Sequence, residues 1–220
     1  MKKRLSILTL WVLICLLLGC APLESRYERQ CRQAYEQLQG APALYVERRY
    51  QVTHGGDILS TYEAAYWILD DEFYVLCTDI DGGGAQEEML YIDGQCYTRS
   101  VADGAQWQKG GGNMPDLNLR TQDWEELTEL VVPQVKETPT GMTACFSRSP
   151  GHATCTGTAQ DLSEVTFYFG EQKELTGIIL EKAYYSDGHR THSSRDRYEL
   201  MSMDAQTIRQ SIDAHAADLP

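Results

Sequence analysis

The chain has 220 residues, of which 42% are hydrophobic, and a formal net charge of -13 at pH 7. This length suits one domain with a sizeable core or two very small ones, and we favour one because no Pro-, Ser- or charge-rich linker divides the chain. An excess of acidic residues this large argues against nucleic-acid binding and against lying flat on an anionic membrane.

The first residues have the three parts of a secretory signal: a basic start, an apolar run from Leu5 to Leu18 and a small-residue processing site. The run is shorter than a comfortable membrane span, so we predict that it is removed. Its end, Leu17-Leu18-Gly19-Cys20, resembles the bacterial lipobox. The resemblance implies that Cys20 receives a thioether-linked diacylglycerol and anchors the protein on the extracytoplasmic face of the cell membrane. An ordinary signal with an incidental cysteine is the alternative.

Seven cysteines are present, and five remain if Cys15 is removed and Cys20 is lipidated. An odd number leaves at least one thiol unpaired within the chain. The best candidate for a disulfide is Cys145 with Cys155, which would close a short loop and contribute roughly 2 to 3 kcal/mol. Alternatively, all five are small buried hydrophobes. The five are Cys31, Cys77, Cys96, Cys145 and Cys155.

The next part of the chain predicts one helix followed by a sheet. Apolar residues recur at helical spacing from Glu24 to Gln39, and Gly40 and Pro42 end the pattern. Strand patterns rich in Tyr, Val, Ile and Trp then cover 43–54, 60–69, 72–79, 87–92 and 95–101. Tight turns join them, so we expect an antiparallel meander. Apolar residues alternate onto both faces, which predicts a sheet that is covered, or at least apolar, on both.

The second half predicts an inserted helix, more strands and a final helix. Asp123 to Val132 has helical spacing, with Thr121 as cap and Pro133 as stop. Asp204 to Ala216 is the last helical stripe. The order of these helices and strands along the chain predicts the α+β class. We expect a curved antiparallel sheet or incomplete β-barrel covered by a few helices. The later strand patterns are 142–149, 152–158, 164–170, 175–186 and 196–203.

Several local features together resemble the LolA/LppX-type lipoprotein carrier family. They are the leading helix, the long antiparallel strands, Tyr91-Ile92-Asp93-Gly94 followed by Cys96-Tyr97, Trp107-Gln108-Lys109 and the inserted helix. The resemblance implies an incomplete barrel closed by helices that holds lipids or acylated polypeptides, and it identifies no ligand-contact residue. Carriers of the LolA kind are soluble, whereas this chain is predicted to be anchored, like the LppX-like branch. We therefore expect a signal peptide at 1–19, a lipidated N-terminus and leading helix at 20–41, and one sheet domain at 42–220.

Candidate chemistry along the chain is sparse. His189 and His192 could bind a metal with Asp187 or Asp196, but a polar turn of this composition is better explained as a solvated loop. The acidic, glycine-rich segment from Asp79 lacks the pattern of a calcium loop. We find no nucleophile signature and no cofactor motif, so we expect a protein that is not an enzyme and that needs no cofactor.

The remaining signal is an aromatic and apolar lining. Each such residue alone is better explained as ordinary core, but together they exceed what a few helices can cover. We therefore expect non-covalent binding of a hydrophobic ligand, a lipid or an acylated molecule. The alternative is a cell-envelope interaction module with a filled core, whose function lies in acidic surface loops. The candidate lining residues are Tyr62, Tyr66, Trp67, Tyr74, Leu90, Ile179, Tyr184 and Met201.

Overall fold

A computed structural model describes residues 25–101, 105–110, 118–129, 131–147, 158–186 and 189–220. The predicted signal peptide, Cys20 and Cys155 lie outside these ranges, so the lipid anchor and the Cys145–Cys155 disulfide stay predictions. In the described ranges, no helix is long and apolar enough to cross a membrane.

The described residues form four helices and eleven strands. The helices are α1 (Arg26–Gln39), α2 (Asn118–Thr121), α3 (Trp124–Thr128) and α4 (Ala205–Ala216). The strands are β1 (Ala43–His54), β2 (Asp57–Leu69), β3 (Glu72–Asp79), β4 (Ala85–Ile92), β5 (Gln95–Ser100), β6 (Gln108–Gly110), β7 (Gln134–Thr138), β8 (Gly141–Ser147), β9 (Thr158–Phe169), β10 (Leu175–Ser186) and β11 (His189–Met201).

All eleven strands belong to one antiparallel sheet, in the order β6-β5-β4-β3-β2-β1-β11-β10-β9-β8-β7. The central pairing of β1 with β11 joins the two halves of the chain, and β6 and β7 are the edges. A twisted sheet of this size curls, and register shifts in the β1–β2, β10–β11 and β9–β10 pairs add local bends. The predicted curved antiparallel sheet with few helices is therefore confirmed.

The inner face of the sheet, as we call it, packs against α1, α2 and α3. Helix α1 begins with a capping box: the Ser25 hydroxyl accepts a hydrogen bond from the Glu28 amide at 3.1 Å, and the Glu28 carboxylate accepts one from the Ser25 amide. Its buried stripe of Cys31, Tyr35 and Leu38 joins the main core. This is the predicted leading helix, and it ends at Gly40 as expected.

The outer face is covered in part by α4. Ile208 and Ile212 of this helix are fully buried and share a core cluster with Tyr74, Leu90 and Trp107. Beyond α4, the outer face carries exposed ion pairs. They are Arg49–Glu63, Arg195–Glu181 and Arg197–Glu199.

Three sequence-based expectations are corrected. The inserted helix is two short helices, and α3 ends at Thr128 because Glu129 takes a left-handed conformation with φ 46°. Thr121 belongs to α2, and Asp123 occupies the N-cap position of α3. The segment that carries His189 and His192 is the first part of β11 rather than a loop. Edge strands β6 and β7 were not predicted, because their short, polar sequences show no apolar alternation.

Candidate functional site

The inner face has an apolar half that the helices cover. There Trp124 of α3 lies edge-on to Phe146, with ring centroids 5.6 Å apart, and also contacts Phe167 at 5.6 Å. Tyr35 of α1 packs against both Trp124 and Phe167. These rings and the surrounding aliphatic side chains are buried in one cluster. The chain thus fills the space under the helices with its own side chains.

Hydrogen bonds tie the helices of this layer to one another. The Tyr35 hydroxyl donates to the carbonyl of Gln122 at 3.0 Å, and the Gln39 amide donates to the same carbonyl at 2.9 Å. The Arg120 guanidinium donates to the carbonyl of Ala41 at 3.2 Å. Burial raises the pKa of the Tyr35 hydroxyl, so it stays a donor. Helices α1 to α3 are therefore joined by polar contacts, whereas their buried faces meet the sheet through apolar packing.

A groove of about 460 Å³ lies between the second half of α1 and the ends of β1, β10 and β11. We call it the helix groove. Its volume falls within the roughly 300 to 1,000 Å³ of typical ligand sites. Most of its side chains are apolar, and Gln37, Glu174, Thr176 and Ser202 supply the polar ones. The apolar lining residues are Ala34, Leu38, Ala43, Leu44, Leu175, Leu200, Met201 and Met203.

A second cavity of about 200 Å³ opens on the other half of the inner face. We call it the tyrosine pocket, lined by Arg48, Tyr50, Tyr62, Glu63, Ala64, Tyr66 and Cys77. The rings of Tyr50 and Tyr62, which are cross-strand partners, lie 6.5 Å apart. Tyr62 remains 46% exposed, so its ring offers an open surface to a ligand.

A buried ion pair lies beside the tyrosine pocket. Arg48 donates from Nε to Asp196 Oδ1 at 2.7 Å and from Nη2 to Oδ2 at 3.1 Å. Burial acts to lower the pKa of Arg48, but the hydrogen bonds to Asp196 and Tyr66 and the charges of Tyr198 and Asp196 together outweigh it, so the pKa is raised. The guanidinium also lies 5.5 Å from the ring centre of Tyr50 and 5.6 Å from that of Tyr198. The arginine is therefore charged and held in one orientation.

Sequence reasoning missed Arg48 and its ion pair with Asp196, which it had considered only as a metal ligand, although a signal was present. Arg48 shares a face of β1 with Val46 and Tyr50, where alternation leads one to expect an apolar residue. Its partner is 148 residues away, so only the register of β1 with β11 identifies it.

The eight predicted lining residues do not share one cavity. Tyr62 and Tyr66 line the tyrosine pocket, and Tyr184 lies half-buried near it, with its hydroxyl 3.3 Å from that of Ser194. Met201 is exposed and lines the helix groove. The other four are on the outer face, where Trp67, Tyr74 and Leu90 pack in the cluster under α4 and Ile179 is buried on β10. Their predicted role in ligand binding stays a prediction.

A polar network anchors α4 to the outer face. Glu88, which is buried, accepts hydrogen bonds from Tyr74 at 2.6 Å and from Arg99. His215 of α4 stacks on the Tyr74 ring at 3.7 Å, and its Nδ1 lies 3.5 Å from Glu88. Burial acts to raise the pKa of Glu88, but the hydrogen bonds from Arg99 and Tyr74 together lower it. Burial also lowers the pKa of His215. We interpret this cluster as the attachment of the C-terminal helix.

The metal candidates have other partners in the structure. His192 stacks on Tyr184 at 4.2 Å, and Asp196 is paired with Arg48. Asp79 accepts a hydrogen bond from the amide of Gly82 at 2.8 Å, which stabilises the β3–β4 turn. Asp187 and Gly188 lie outside the described residues. Among the residues that are described, no group of three potential metal ligands occurs.

Comparisons with known proteins give no family assignment. No protein-family model and no curated protein sequence matches the chain. The crystal structure of the LolA superfamily protein NE2245 from Nitrosomonas europaea matches with a TM-score of 0.31 and 8% identity, over 82% of this chain and 96% of that one. A structure of an N-terminal dehydratase from the difficidin assembly line matches with a TM-score of 0.18 and 7% identity, over 85% and 88%. Both TM-scores are low, so neither likeness carries an argument about what this chain does.

Proposed function

We propose that this protein is a lipid-anchored extracytoplasmic protein that binds a lipid or an acylated molecule non-covalently in the helix groove. The observation that carries this proposal is the groove itself, about 460 Å³ of mostly apolar space between α1 and the sheet. Apolar ligand surface buried there would contribute roughly 25 cal/mol per Å². Met201 and Met203 line the groove, and flexible thioether side chains adapt to ligands of different shape.

Movement of the helical layer would control entry and release. Helices α1 to α3 are linked by the hydrogen bonds of Tyr35, Gln39 and Arg120, so they can shift as one unit over the sheet. Apolar packing has no fixed direction and tolerates small sliding displacements better than a hydrogen-bonded contact does. A shift of this layer away from Leu44 and Leu200 would widen the groove to admit a chain.

Native mass spectrometry with solvent extraction tests the ligand. The full-length chain, purified from a bacterial host in mild detergent, is expected to retain a lipid in stoichiometric amount. Met201→Glu places a charge in the groove at an exposed position and should abolish retention. Ile58→Glu is the matched control, because Ile58 is also exposed and apolar but lies on β2, outside the groove. A protein that carries no lipid and takes up no fluorescent fatty acid would refute the proposal.

The anchor has a separate test. Cells that express the chain are fed an alkyne-tagged fatty acid, and the protein is then fractionated between membrane and soluble pools. We expect label on the wild type and loss of both label and membrane association in Cys20→Ser. A Cys20→Ser variant that stays labelled and membrane-bound would contradict lipidation at this cysteine.

The packed apolar half of the inner face favours a second candidate function. Because Trp124, Phe146 and Phe167 fill the space under the helices, the fold is stable there without a ligand. The protein would then be a cell-envelope interaction module that binds partners through acidic loops, such as the β3–β4 turn with Asp79 and Asp81. Lipid that is lost from Met201→Glu but not from Ile58→Glu would reject this alternative.

A further inference from the structure

We infer that the tyrosine pocket binds a single neutral sugar ring, stacked on Tyr62 and hydrogen-bonded by Arg48 and the tyrosine hydroxyls. The site lies on the half of the inner face away from the helix groove, and its lining shares no residue with that groove. The inference therefore does not rest on the proposed function.

The aromatic lining suits the apolar face of a sugar. Tyr50 and Tyr62 are neighbours across β1 and β2, with rings inclined by 33°, and Tyr62 is the most exposed of the tyrosines that line the pocket. The face of an aromatic ring carries negative potential, which attracts the slightly positive C–H groups of a pyranose face. A tyrosine also has a hydroxyl that can donate and accept hydrogen bonds, as the hydroxyls of a sugar do.

The ion pair determines the charge that the pocket prefers. Asp196 neutralises Arg48 through two hydrogen bonds, so an anionic ligand would have to compete with a buried carboxylate. A cationic ligand would meet the guanidinium that lines the pocket. A neutral ligand avoids both costs, and a neutral ligand that is also polar can accept hydrogen bonds from Arg48. Arginine has five N–H donors, and the described contacts engage three: two on Asp196 and one that points to the Tyr66 hydroxyl at 3.5 Å.

The size of the pocket suits a ligand of one ring. Its volume of about 200 Å³ corresponds to roughly six or seven water molecules, at about 30 Å³ each. One hexose ring with its hydroxyl groups fits this space. A long acyl chain needs an extended apolar channel, whereas Arg48 with its bound carboxylate stands at the wall of this pocket.

Cys77 provides a reporter inside the pocket. Cys77 is exposed at the pocket lining, and Cys145 on β8, which is partly exposed and lies outside the pocket, is the reference cysteine after the chain has been reduced and the reductant removed. The full-length chain, in a detergent without a sugar headgroup, is incubated with a panel of methyl glycosides and alkylated with a maleimide. Peptide mass spectrometry then measures the alkylation rate at each cysteine. At ten times the dissociation constant, we expect a bound glycoside to slow alkylation of Cys77 about tenfold and to leave Cys145 unchanged.

Variants of Tyr62 test whether protection of Cys77 depends on a sugar stacked on the Tyr62 ring. Tyr62→Ala should abolish protection of Cys77, whereas Tyr62→Phe should keep it, because phenylalanine retains the ring face. Leu59→Ala, an exposed apolar residue on the same strand outside the pocket, should leave protection unchanged. The inference is overturned if no methyl glycoside protects Cys77, if Tyr62→Ala is protected as well as the wild type, or if fatty acid protects Cys77 and glycosides do not.

Discussion

Loss of the Asp196 charge is expected to destabilise the fold by about 3 kcal/mol. Asp196 is 3% exposed, and it is the carboxylate that holds the Arg48 guanidinium by two hydrogen bonds. Removing one partner of a buried ion pair costs about 3 to 5 kcal/mol, since the other charge stays in a poorly solvated place. The Arg48 side chain is 22% exposed, so water reaches part of it and the lower end of that range applies. In a domain of this size the melting temperature should fall by about 6 to 12 °C.

A double-mutant cycle in urea, followed by tryptophan fluorescence of the full-length chain, measures this effect. Asp196→Asn keeps the side-chain shape and removes the charge. When Arg48→Met is added, the combined loss should be about 2 kcal/mol smaller than the sum of the single losses, because no charge is then left buried. Glu181→Gln is the control, since Glu181 pairs with Arg195 on the exposed outer face. This substitution should lower the free energy of unfolding by no more than about 0.5 kcal/mol. Additive single losses, or an Asp196→Asn loss below about 1 kcal/mol, would refute the reasoning.

Three further predictions concern stability. Ile212→Ala should cost about 2 to 4 kcal/mol in chemical denaturation and expose the C-terminal end to protease, because Ile212 is a fully buried residue of α4 that packs against the outer face. Gly141→Ala should lower the melting temperature, because φ is +150° there and a Cβ would lie 2.1 Å from the Phe169 carbonyl oxygen. The free energy of unfolding should rise from about pH 4 to 7. The pKa of His215 is lowered from its ordinary 6.5 in the fold, so below that pH the unfolded chain binds more protons than the folded one. The pKa of Glu88 is lowered from its ordinary 4.5 and has the same effect below pH 4.5. His215→Gln should flatten the upper part of that rise.

Each of these predictions has a result that would contradict it. Cleavage of Ile212→Ala at the wild-type rate would mean that α4 does not depend on this contact. An unchanged melting temperature in Gly141→Ala would mean that the β7–β8 hairpin adjusts without strain. A pH profile of His215→Gln that overlays the wild type from pH 5 to 7 would exclude the histidine as the titrating group.

The elements predicted best are those whose signal is local. The bounds of β1, β3 and β10 match the predicted 43–54, 72–79 and 175–186, since apolar alternation and turn residues define both of their ends. Helices α1 and α4 also agree with their predicted spans to within two residues. Elements with little core-facing pattern were missed: edge strand β7 has one apolar residue, Val135, among four polar ones, and a left-handed Glu129 ends α3 before Pro133 is reached.

The candidate sites depended on contacts that no local pattern reports. The helix groove brings together the end of α1, the start of β1 and the last residues of β11. The lining residues proposed from the sequence were taken from both faces of the sheet, because alternation shows that two faces exist but not which helix covers each. The structure assigns α1 to α3 to the inner face and α4 to the outer face.

By itself, the sequence determined the kinds of elements and their antiparallel connection, because alternation and turn chemistry act over a few residues. Only the tertiary structure decided that β1 pairs with β11 and thereby places Arg48 against Asp196. It likewise decided that His215 meets Glu88 under the C-terminal helix. These contacts join residues more than 100 positions apart, and they form only when the whole sheet has its register, since a shift of one residue would turn each side chain to the opposite face.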